Sequence, residues 1–454
     1  MPRRNFAVLI TLAVVSLVCY QKVQTNHFGR ILTDAMDQID SRSLEEVDQH
    51  SLFEGAMEGM VDRLDDPYSS YVGREVVSEF RESLDQQFAG VGMQVDYDES
   101  SRLTVMSPLV GSPAYVAGVR AGDKILRIDG RSTQGLSRKD AVGLLRGKPG
   151  EPVTISVLHE GEQQPVDIEI VRAIIHLDTV LGDTHEPDGT WNFFVPGHDR
   201  IGYVRISNFA EKTPDELRAA MQWLIQRNMR GLILDLRDDP GGLLTAAADV
   251  CDMFIDSGVI VTTRGRDGKI SQAIEATPDG SFGDFPMAVL VNQFSASASE
   301  IVAACLQDHG RAVVVGQRTW GKGTVQDVIE LPDDEGILKL TIASYWRPSG
   351  KNIHRTKKAS ETDEWGVKPD TGCQVVVEGD ELVKLHQWRL RRDVFRPAAN
   401  GKTPDGAAPN GKTPDGKTPD GTGIDPLVDR QLEKAVECVE TAIGNPQPSR
   451  PAAA

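Results

Sequence analysis

The chain has 454 residues, with 49 Lys and Arg against 67 Asp and Glu, and a formal net charge of −18. This length allows two or three domains and at least one sizeable hydrophobic core. An acidic surface repels the phosphates of DNA and RNA, so nucleic-acid binding is excluded as a class of function. The five cysteines are an odd number without close spacing. We interpret them as buried thiols and not as a disulfide framework or a metal site.

The first 24 residues have the pattern of an export signal. Arg3 and Arg4 precede an apolar run from Phe6 to Tyr20, which is shorter than the roughly 20 residues of a full bilayer span. No small-residue cleavage motif of the A-x-A type follows, so a cleaved signal peptide and an uncleaved signal anchor both remain open. We therefore predict an exported protein of the periplasm or cell envelope, with residues 6–20 as the candidate inner-membrane anchor.

Two regions with different residue patterns follow the signal. Residues 25–85 are polar with helical periodicity and predict an N-terminal helical region. Residues 86–174 change to short β-branched runs separated by glycines, which predict a small, mostly β module. The module is expected to contain one helix at 138–145 and strands at 103–106, 124–128, 153–158 and 166–171.

Residues 175–398 alternate between strand and helix patterns. The expected order is strand 201–206, helix 213–228, strand 232–236, helix 243–254, strand 287–291, a helix from 298 and strand 312–315. Such alternation implies an α/β core with a parallel sheet, in which the loops that leave the carboxyl ends of the strands share one edge. The pattern therefore predicts that Gly241, Gly242, the serines after residue 291 and Lys322 meet at that edge.

The C-terminal region begins with a low-complexity segment. Residues 399–424 repeat the letters GKTPDG, which are typical of a disordered linker. Within it, GAAPNGKT at 406–413 matches the phosphate-binding P-loop pattern. A P-loop needs a strand before it and a helix after it, and both flanks here are Pro, Gly and polar residues, so ATP binding is rejected. Residues 425–446 are expected to form a closing amphipathic helix that packs on the core.

The stretch NQFSASASEIVAACLQD, residues 292–308, places serines at 295, 297 and 299 before an amphipathic helix. Ser297 and Glu300 fit the S-x-x-E capping box. From this stretch alone the pattern favours helix capping over nucleophilic catalysis, because capping serines far outnumber catalytic ones.

A serine nucleophile needs a base that takes its proton. The sequence contains neither an H-E-x-x-H nor a G-x-S-x-G motif, which removes the main support for a metalloprotease or an α/β-hydrolase. Lys322, between two glycines and beside Trp320, is the better candidate, with a solvated turn lysine as the alternative. Gln326 is expected to face the same side as Lys322 by the period of two in a strand.

Three motifs occur in the order DLRDDPGG, VLVNQFSASASEI and GQRTWGKGTVQ. Together they resemble the C-terminal processing peptidases, or tail-specific proteases. FAGVGMQV followed by SPAYVAGVRAGDKILRIDG resembles the PDZ domain that these enzymes carry. The likeness covers about residues 30–370. It implies an α/β, multidomain α+β fold: a crotonase/ClpP-like alternating core with an inserted PDZ-like β module at 86–174 and a helical N-terminal unit.

The resemblance also implies roles for individual residues. Ser297 corresponds to the nucleophile, Lys322 to the general base and Gln326 to the residue that orients the lysine, while Ser295 and Ser299 are bystanders. The expected oxyanion hole combines the amide of Ala298 with an amide of Gly241 or Gly242. Asp239 departs from the asparagine that the family more often has, and is expected to place a negative charge near the site.

The base must be neutral near pH 7, so the pKa of Lys322 has to fall by a few units from its ordinary ~10.4 through desolvation. Trp320 and the flanking glycines are consistent with such a dry site. Backbone amides of Gly90-Val91-Gly92 are expected to bind a free C-terminal carboxylate while the peptide adds as a strand to the sheet, the alternative being that these glycines only form a turn.

The sequence therefore predicts an exported serine endopeptidase with a Ser/Lys dyad that recognises the C-terminal tails of protein substrates and cleaves them. No metal or organic cofactor is implied, and a homo-oligomer is not excluded. One alternative is an inactive PDZ-containing adaptor, which the joint presence of the dyad residues disfavours. A second is a crotonase-like acyl-CoA enzyme. The export signal and the PDZ module disfavour it, because neither is expected in an enzyme that uses coenzyme A.

Overall fold

A computed structural model describes residues 27–394, apart from residues 99, 160 and 279, together with residues 427–445 and the single residue 16. The expected signal or anchor at 1–24, the linker at 399–424 with its P-loop-like letters, and the first residues of the expected closing helix lie outside the described residues. Within the described ranges, no helix combines the length and apolar character needed to cross a membrane. The four cysteines in these ranges carry free thiols.

The helices, in chain order, are α1 (His27–Arg42), α2 (Gln49–Asp62), α3 (Val77–Asp85), α4 (Pro113–Val116), α5 (Arg138–Leu145), α6 (Thr213–Gln226), α7 (Leu244–Asp252), α8 (Ala298–Asp308), α9 (Gly379–Arg392) and α10 (Arg430–Gly444). The strands before the core sheet are β1 (Ser70–Val72), β2 (Gln87–Gly90), β3 (Met93–Tyr97), β4 (Leu103–Pro108), β5 (Lys124–Ile128), β6 (Arg131–Ser132), β7 (Pro152–Leu158), β8 (Val166–Val171) and β9 (Ala173–His176).

The later strands are β10 (Val180–Leu181), β11 (Thr184–His185), β12 (Trp191–Asn192), β13 (Phe194–Val195), β14 (His198–Ile206), β15 (Gly231–Asp235), β16 (Val259–Arg264), β17 (Ile270–Glu275), β18 (Met287–Val291), β19 (Val313–Gly316), β20 (Thr324–Glu330) and β21 (Ile337–Trp346).

The chain divides into two compact units, of which the first comprises residues 1–77 and 326–341. In this unit Asp48 is the N-cap of α2, and its carboxylate accepts hydrogen bonds from the amides of the first turn, as N-cap aspartates do. β1 pairs antiparallel with the first residues of β21, with Ser70 opposite Lys339. The helical character predicted for the N-terminal region is confirmed, whereas β1 was not predicted.

The second unit contains a β module inserted between β2 and β9, which pair antiparallel with Gly90 opposite Ala173. Its sheet has the order β3-β4-β5-β7-β8, so β3 is an edge strand. Alternating residues of β7 are buried and join a hydrophobic core of their own with α4 and α5. The predicted strands and the helix at 138–145 are all confirmed.

The core of the second unit is a sheet with the order β10-β14-β15-β18-β19. Strands β14, β15, β18 and β19 run parallel to one another, as the alternation of strands and helices predicted, whereas β10 and β13 pair antiparallel with β14. β15 and β18 are buried at every residue, which is typical of parallel strands covered on both faces.

Successive residues of these central strands contribute to opposite faces of the sheet. Leu232 and Leu234 belong to the core formed with α6, α7 and α8, whereas Ile233 packs with Ala435 and Val439 of α10. The period of two in the strands thus gives the sheet two apolar faces, and α10 covers one of them. The closing helix predicted to pack on the core is confirmed where it is described.

Candidate active site

Three loops leave the carboxyl ends of β15, β18 and β19: the glycine loop (236–243), the serine loop (292–297) and the lysine loop (317–323). The serine loop is hydrogen-bonded to both of the others. The Ala296 amide donates to the Asp239 carbonyl at 3.0 Å, and the Trp320 amide donates to the Ser295 carbonyl at 3.0 Å. The serine loop therefore lies between the glycine loop and the lysine loop. The predicted meeting of these segments at one edge of the sheet is confirmed.

Ser297 is the N-cap of α8 with a backbone that differs from that of other serine caps in this chain. Its φ and ψ are 57° and −112°, whereas the caps Ser112 and Ser137 are extended, with φ near −72°. Left-handed φ values in a non-glycine residue store strain and cluster at functional sites. Ser297 is only 6% exposed, and it stands where the amides of the helix N-terminus favour negative charge.

The hydroxyls of the flanking serines, Ser295 and Ser299, form hydrogen bonds within the protein. Ser295 Oγ donates to the Leu236 carbonyl at 2.7 Å and accepts from the Asn292 amide. Ser299 Oγ donates to the Asp239 carbonyl at 3.0 Å. Both side chains are fully buried, so their hydroxyls tie neighbouring loops together.

Gly241 and Gly242 bring backbone against the serine. A Cβ on Gly241 would lie 2.8 Å from both the Ala298 nitrogen and Ser297 Cβ, and one on Gly242 would lie 2.1 Å from the Phe209 carbonyl oxygen. Both positions have φ in the left-handed region, which glycine adopts without penalty. The Gly241 amide donates to Asp239 Oδ1 at 2.8 Å, so one of the two glycine amides expected in an oxyanion hole is engaged by the protein.

Asp239 precedes the Gly241–Gly242 turn and lies in the interior of the protein. Its side chain is fully buried, and this burial raises the pKa of the Asp239 carboxyl well above its ordinary range, although the bond from Gly241 opposes the shift. This shift favours the protonated form of Asp239, although the Ser299 hydroxyl also opposes it, and the negative charge expected at this position stays a prediction. The physical reason for the shift is the cost of burying an unpaired carboxylate.

Glu300 joins the serine loop to the lysine loop, which the sequence did not reveal. Its Oε2 accepts from the amides of Ser297 and Lys322 at 2.9 and 2.8 Å. Its Oε1 accepts from the Gly321 amide at 2.7 Å and from Thr319 Oγ1. Burial raises the pKa of Glu300 to about 7, against the effect of these hydrogen bonds. One buried carboxyl thus fixes the backbone of both proposed dyad residues.

Glycines on either side of Lys322 allow its loop to pack closely. A Cβ on Gly321 would lie 2.6 Å from Arg355 Cβ, and one on Gly323 would lie 2.2 Å from the His354 nitrogen. Trp320 is half exposed, whereas Trp365, which the sequence did not single out, is 5% exposed and packs at Gly321. A contribution of Trp320 to a dry site stays a prediction.

Gln326 and the Gly90-Val91-Gly92 segment lie on other elements. Gln326 is in β20, where its Nε2 donates to Thr341 Oγ1 at 3.1 Å. Val91 is 3% exposed and part of the core of the β module. The Gly92 carbonyl accepts from Ser112 Oγ and the Leu109 amide, so the carbonyls of this segment are occupied by the module itself.

Comparison with known proteins gives three matches along the chain. Residues 19–76 match the Activating protease CtpB N-terminal domain, residues 104–158 match a PDZ domain, and residues 200–372 match Peptidase family S41. The last match contains the glycine, serine and lysine loops described above.

Curated relatives support the same grouping over most of the chain. A carboxy-terminal-processing protease of Bartonella bacilliformis is 37% identical over 362 residues, covering 77% of this chain and 79% of the relative. The carboxy-terminal processing protease CtpA of Bacillus subtilis is 34% identical over 355 residues, covering 78% and 70%. The chain belongs to peptidase family S41 as a carboxy-terminal processing protease, and it is a serine-type peptidase.

Proposed function

We propose that the protein is an exported endopeptidase that cleaves protein substrates through a Ser297/Lys322 dyad after its PDZ module has bound their C-terminal tails. The observation that carries this proposal is the Glu300 carboxyl, which accepts from the Ser297 amide and the Lys322 amide with the same oxygen. The strained backbone of Ser297 at a helix N-terminus supports the same assignment.

In the proposed reaction, Ser297 Oγ attacks the scissile carbonyl carbon while neutral Lys322 Nζ takes the hydroxyl proton. The oxyanion that forms accepts hydrogen bonds from the Ala298 amide and the Gly242 amide, because the Gly241 amide already donates to Asp239. Lys322 then gives its proton to the leaving amine. A water molecule hydrolyses the acyl-enzyme through the same lysine, which restores Ser297. Gln326 is retained as the residue that orients Lys322 on the family resemblance alone, because Lys322 precedes β20 and the period of two in that strand does not reach it.

The proposed tail-binding site combines the amides of Gly90, Val91 and Gly92 with the neighbouring edge strand. β3 begins directly after Gly92 and lies at the edge of its sheet. A peptide that adds to this edge would place its terminal carboxylate at the loop, as in other β-strand additions. Occupied carbonyls in this segment leave the amides as the binding groups.

The alternating parallel sheet supports a crotonase/ClpP-like core. An acyl-CoA enzyme on such a core is disfavoured because the chain carries a PDZ domain and an S41 peptidase match. Export, with anchoring by residues 6–20, rests on the sequence pattern alone. An inactive adaptor is the alternative that an experiment has to exclude.

The test is substitution along the serine loop. Ser297→Ala should abolish proteolysis and labelling by a fluorophosphonate probe while circular dichroism stays unchanged. Ser295→Ala and Ser299→Ala should remain labelled and active. Ser295→Ala loses two buried hydrogen bonds and Ser299→Ala loses one, at about 1 kcal/mol of stability for each bond. Mass spectrometry of the cleaved tails, with Ser297→Ala as control, identifies the products. Labelling of Ser297→Ala, or a folded Ser299→Ala as inactive as Ser297→Ala, would overturn the assignment.

A further inference from the structure

Asp239 lies at the junction of the glycine loop and the serine loop. Its carbonyl accepts from the Ala296 amide and from Ser299 Oγ, both at 3.0 Å. Its Oδ1 accepts from the Gly241 amide at 2.8 Å. Main chain and side chain of this one residue therefore hold the segments before and after Ser297 and the turn that faces Ser297.

The second carboxyl oxygen of Asp239 differs from the first. Oδ2 is buried and has no hydrogen-bond partner among the residues that the structure describes. An ionised carboxylate in this position would leave a buried charge uncompensated, which is far more costly than a buried neutral acid. A neutral acid still offers Oδ1 as the acceptor for Gly241, as the oxygen of an asparagine side chain would.

We propose that Asp239 is a positioning residue that holds the Gly241–Gly242 turn against Ser297 as a neutral carboxylic acid, and that its ionisation lowers the rate of proteolysis. This inference rests on the proposed Ser297/Lys322 mechanism. A charged Asp239 would lie beside the turn that stabilises the oxyanion, and like charges repel strongly in a site of low dielectric constant. Asp239 therefore acts through the turn and through its charge and does not touch the reacting atoms.

The charged groups around Asp239 are engaged elsewhere. Asp235, at the end of β15, pairs with both Arg237 and Arg389. Asp238 faces Asn292 at 2.8 Å and Arg389 at 3.6 Å. On α8, Glu300 accepts from the amides of Ser297 and Lys322. Among the described residues, none of these groups forms an ion pair with the Asp239 carboxyl that would hold it ionised.

Two ionisations with opposite effects then shape the pH dependence. Loss of the Lys322 proton raises the rate as pH increases, because only the neutral amine is a base. Loss of the Asp239 proton lowers it at higher pH. A wild-type profile of kcat/KM that rises and then falls is expected, and Asp239→Asn should keep the rise and lose the fall.

The first experiment measures kcat/KM against pH for the wild type, Asp239→Asn and Asp238→Asn, with circular dichroism at each pH. Asp238→Asn is the matched control, since it removes the same formal charge from the adjacent residue. We expect Asp239→Asn to exceed the wild type by about tenfold or more at the highest pH, which corresponds to about 1.4 kcal/mol, and Asp238→Asn to keep the descending limb. A descending limb that persists in Asp239→Asn, or an Asp239→Asn protein that does not fold, would overturn the proposal.

The second experiment is independent of activity and uses the Ser297→Ala protein with and without Asp239→Asn. A raised pKa in the folded state means that Asp239 contributes stability below its unfolded pKa of about 3.9 and loses it as pH rises toward the folded value. The Tm of the Asp239→Asn protein should therefore gain on that of its parent by a few degrees as pH rises. If the difference in Tm between the Asp239→Asn protein and its parent does not change with pH, Asp239 is not a neutral acid, even if the dyad is correct. If the difference changes as expected but a Lys322→Arg enzyme is active, only the dyad is overturned.

Discussion

Lys322 is the residue at which the proposed mechanism depends most on a protonation state. Lys322→Arg keeps the positive charge and a similar reach, but arginine, with a pKa above about 12, does not lose its proton in a protein. The variant should lose about 10²–10⁴-fold in kcat/KM, the range that general-base catalysis supplies. Wild-type kcat/KM should also rise with pH through a single ionisation before any descending limb. A folded Lys322→Arg enzyme that retains more than about a tenth of wild-type activity would show that Lys322 is not the base.

Glu300 provides a second test at the same scale. In Glu300→Gln one side-chain oxygen becomes an NH₂ group that faces two N–H or O–H donors, so two of the four hydrogen bonds are lost, at least one of them from the lysine loop. We expect a loss of about 10–100-fold in kcat/KM, from a disturbance worth ~1.4–2.8 kcal/mol. Lys322→Met serves as the comparison, since it should lower kcat at every pH without loosening the loops.

The raised pKa of Glu300 also predicts how its contribution to stability changes with pH. Because burial raises its pKa from 4.5 to about 7, the folded protein holds this proton more tightly than the unfolded chain does. Its contribution to stability is present below about pH 4.5 and is lost as pH rises to about 7. In Glu300→Gln this part of the pH dependence of Tm should disappear. An unchanged slope between these pH values would show that Glu300 is ionised throughout.

Sequence reasoning singled out Ser297 as the candidate nucleophile but did not reveal the full role of Glu300. The S-x-x-E spacing already explained Glu300 as a capping residue, and the Ser297 amide does donate to it. The bonds from Gly321 and Lys322 join residues 21 and 22 positions apart. No local pattern around Glu300 or in the lysine loop predicts this contact, because it depends on the tertiary fold.

At the scale of elements, the sequence predicted the helices and strands whose apolar periodicity reflects packing against one hydrophobic core. The alternation of β14, α6, β15, α7, β18, α8 and β19 was correct, with ends displaced by a few residues. β16 pairs with β17 as an antiparallel hairpin and with β21, and these pairings were not predicted. Most of β17 is exposed, so its residues carry little periodic signal.

The attachment of α10 depends on a buried ionic network. Arg237 donates to Asp429, the N-cap of α10, at 2.9 Å through both terminal nitrogens, and Asp429 also accepts from the Leu432 amide. Asp429→Ala would leave Arg237 partly uncompensated in the interior and remove the helix cap. The free energy of unfolding should fall by about 3–5 kcal/mol, as when one partner of a buried pair is removed.

Chemical denaturation of the Ser297→Ala protein measures this loss without self-cleavage. The control is Glu437→Gln, which removes an exposed partner of Lys434 on the same helix and should leave the midpoint nearly unchanged, since exposed pairs contribute little. Equal midpoints for Asp429→Ala and Glu437→Gln would show that the network does not hold α10.

At the scale of the whole molecule, residues 326–341 group with the N-terminal residues and not with the segments that flank them in sequence. The pairing of Ser70 with Lys339 that accompanies this grouping spans most of the chain. Composition and periodicity act over short windows and contain no signal for such a pairing. Within the described residues, the sequence predicted the alternating core and the β module, but it did not reveal which distant segments share a unit.

The inserted PDZ module allows its proposed role to be tested by excision. Gly90 and Ala173 are register partners at the ends of β2 and β9, so their Cα atoms lie about 5 Å apart, as in any antiparallel pair. Residues 91–172 are therefore replaceable by a two-residue turn that leaves the ladder intact.

The intact enzyme should cleave a substrate with a free C-terminus about 10–100-fold faster than the same substrate with an amidated C-terminus, because a charge-assisted hydrogen bond to the carboxylate contributes ~1.5–3 kcal/mol. The excised enzyme should cleave both substrates at the same rate, because it has lost the Val91 and Gly92 amides and the edge strand β3, and the Gly90 amide alone no longer forms the carboxylate site. Labelling by a fluorophosphonate confirms that Ser297 in the excised enzyme is still assembled. Equal rates with free and amidated tails in the intact enzyme would show that the module does not bind the terminal carboxylate. A preference that survives excision would place the carboxylate site in the peptidase core instead.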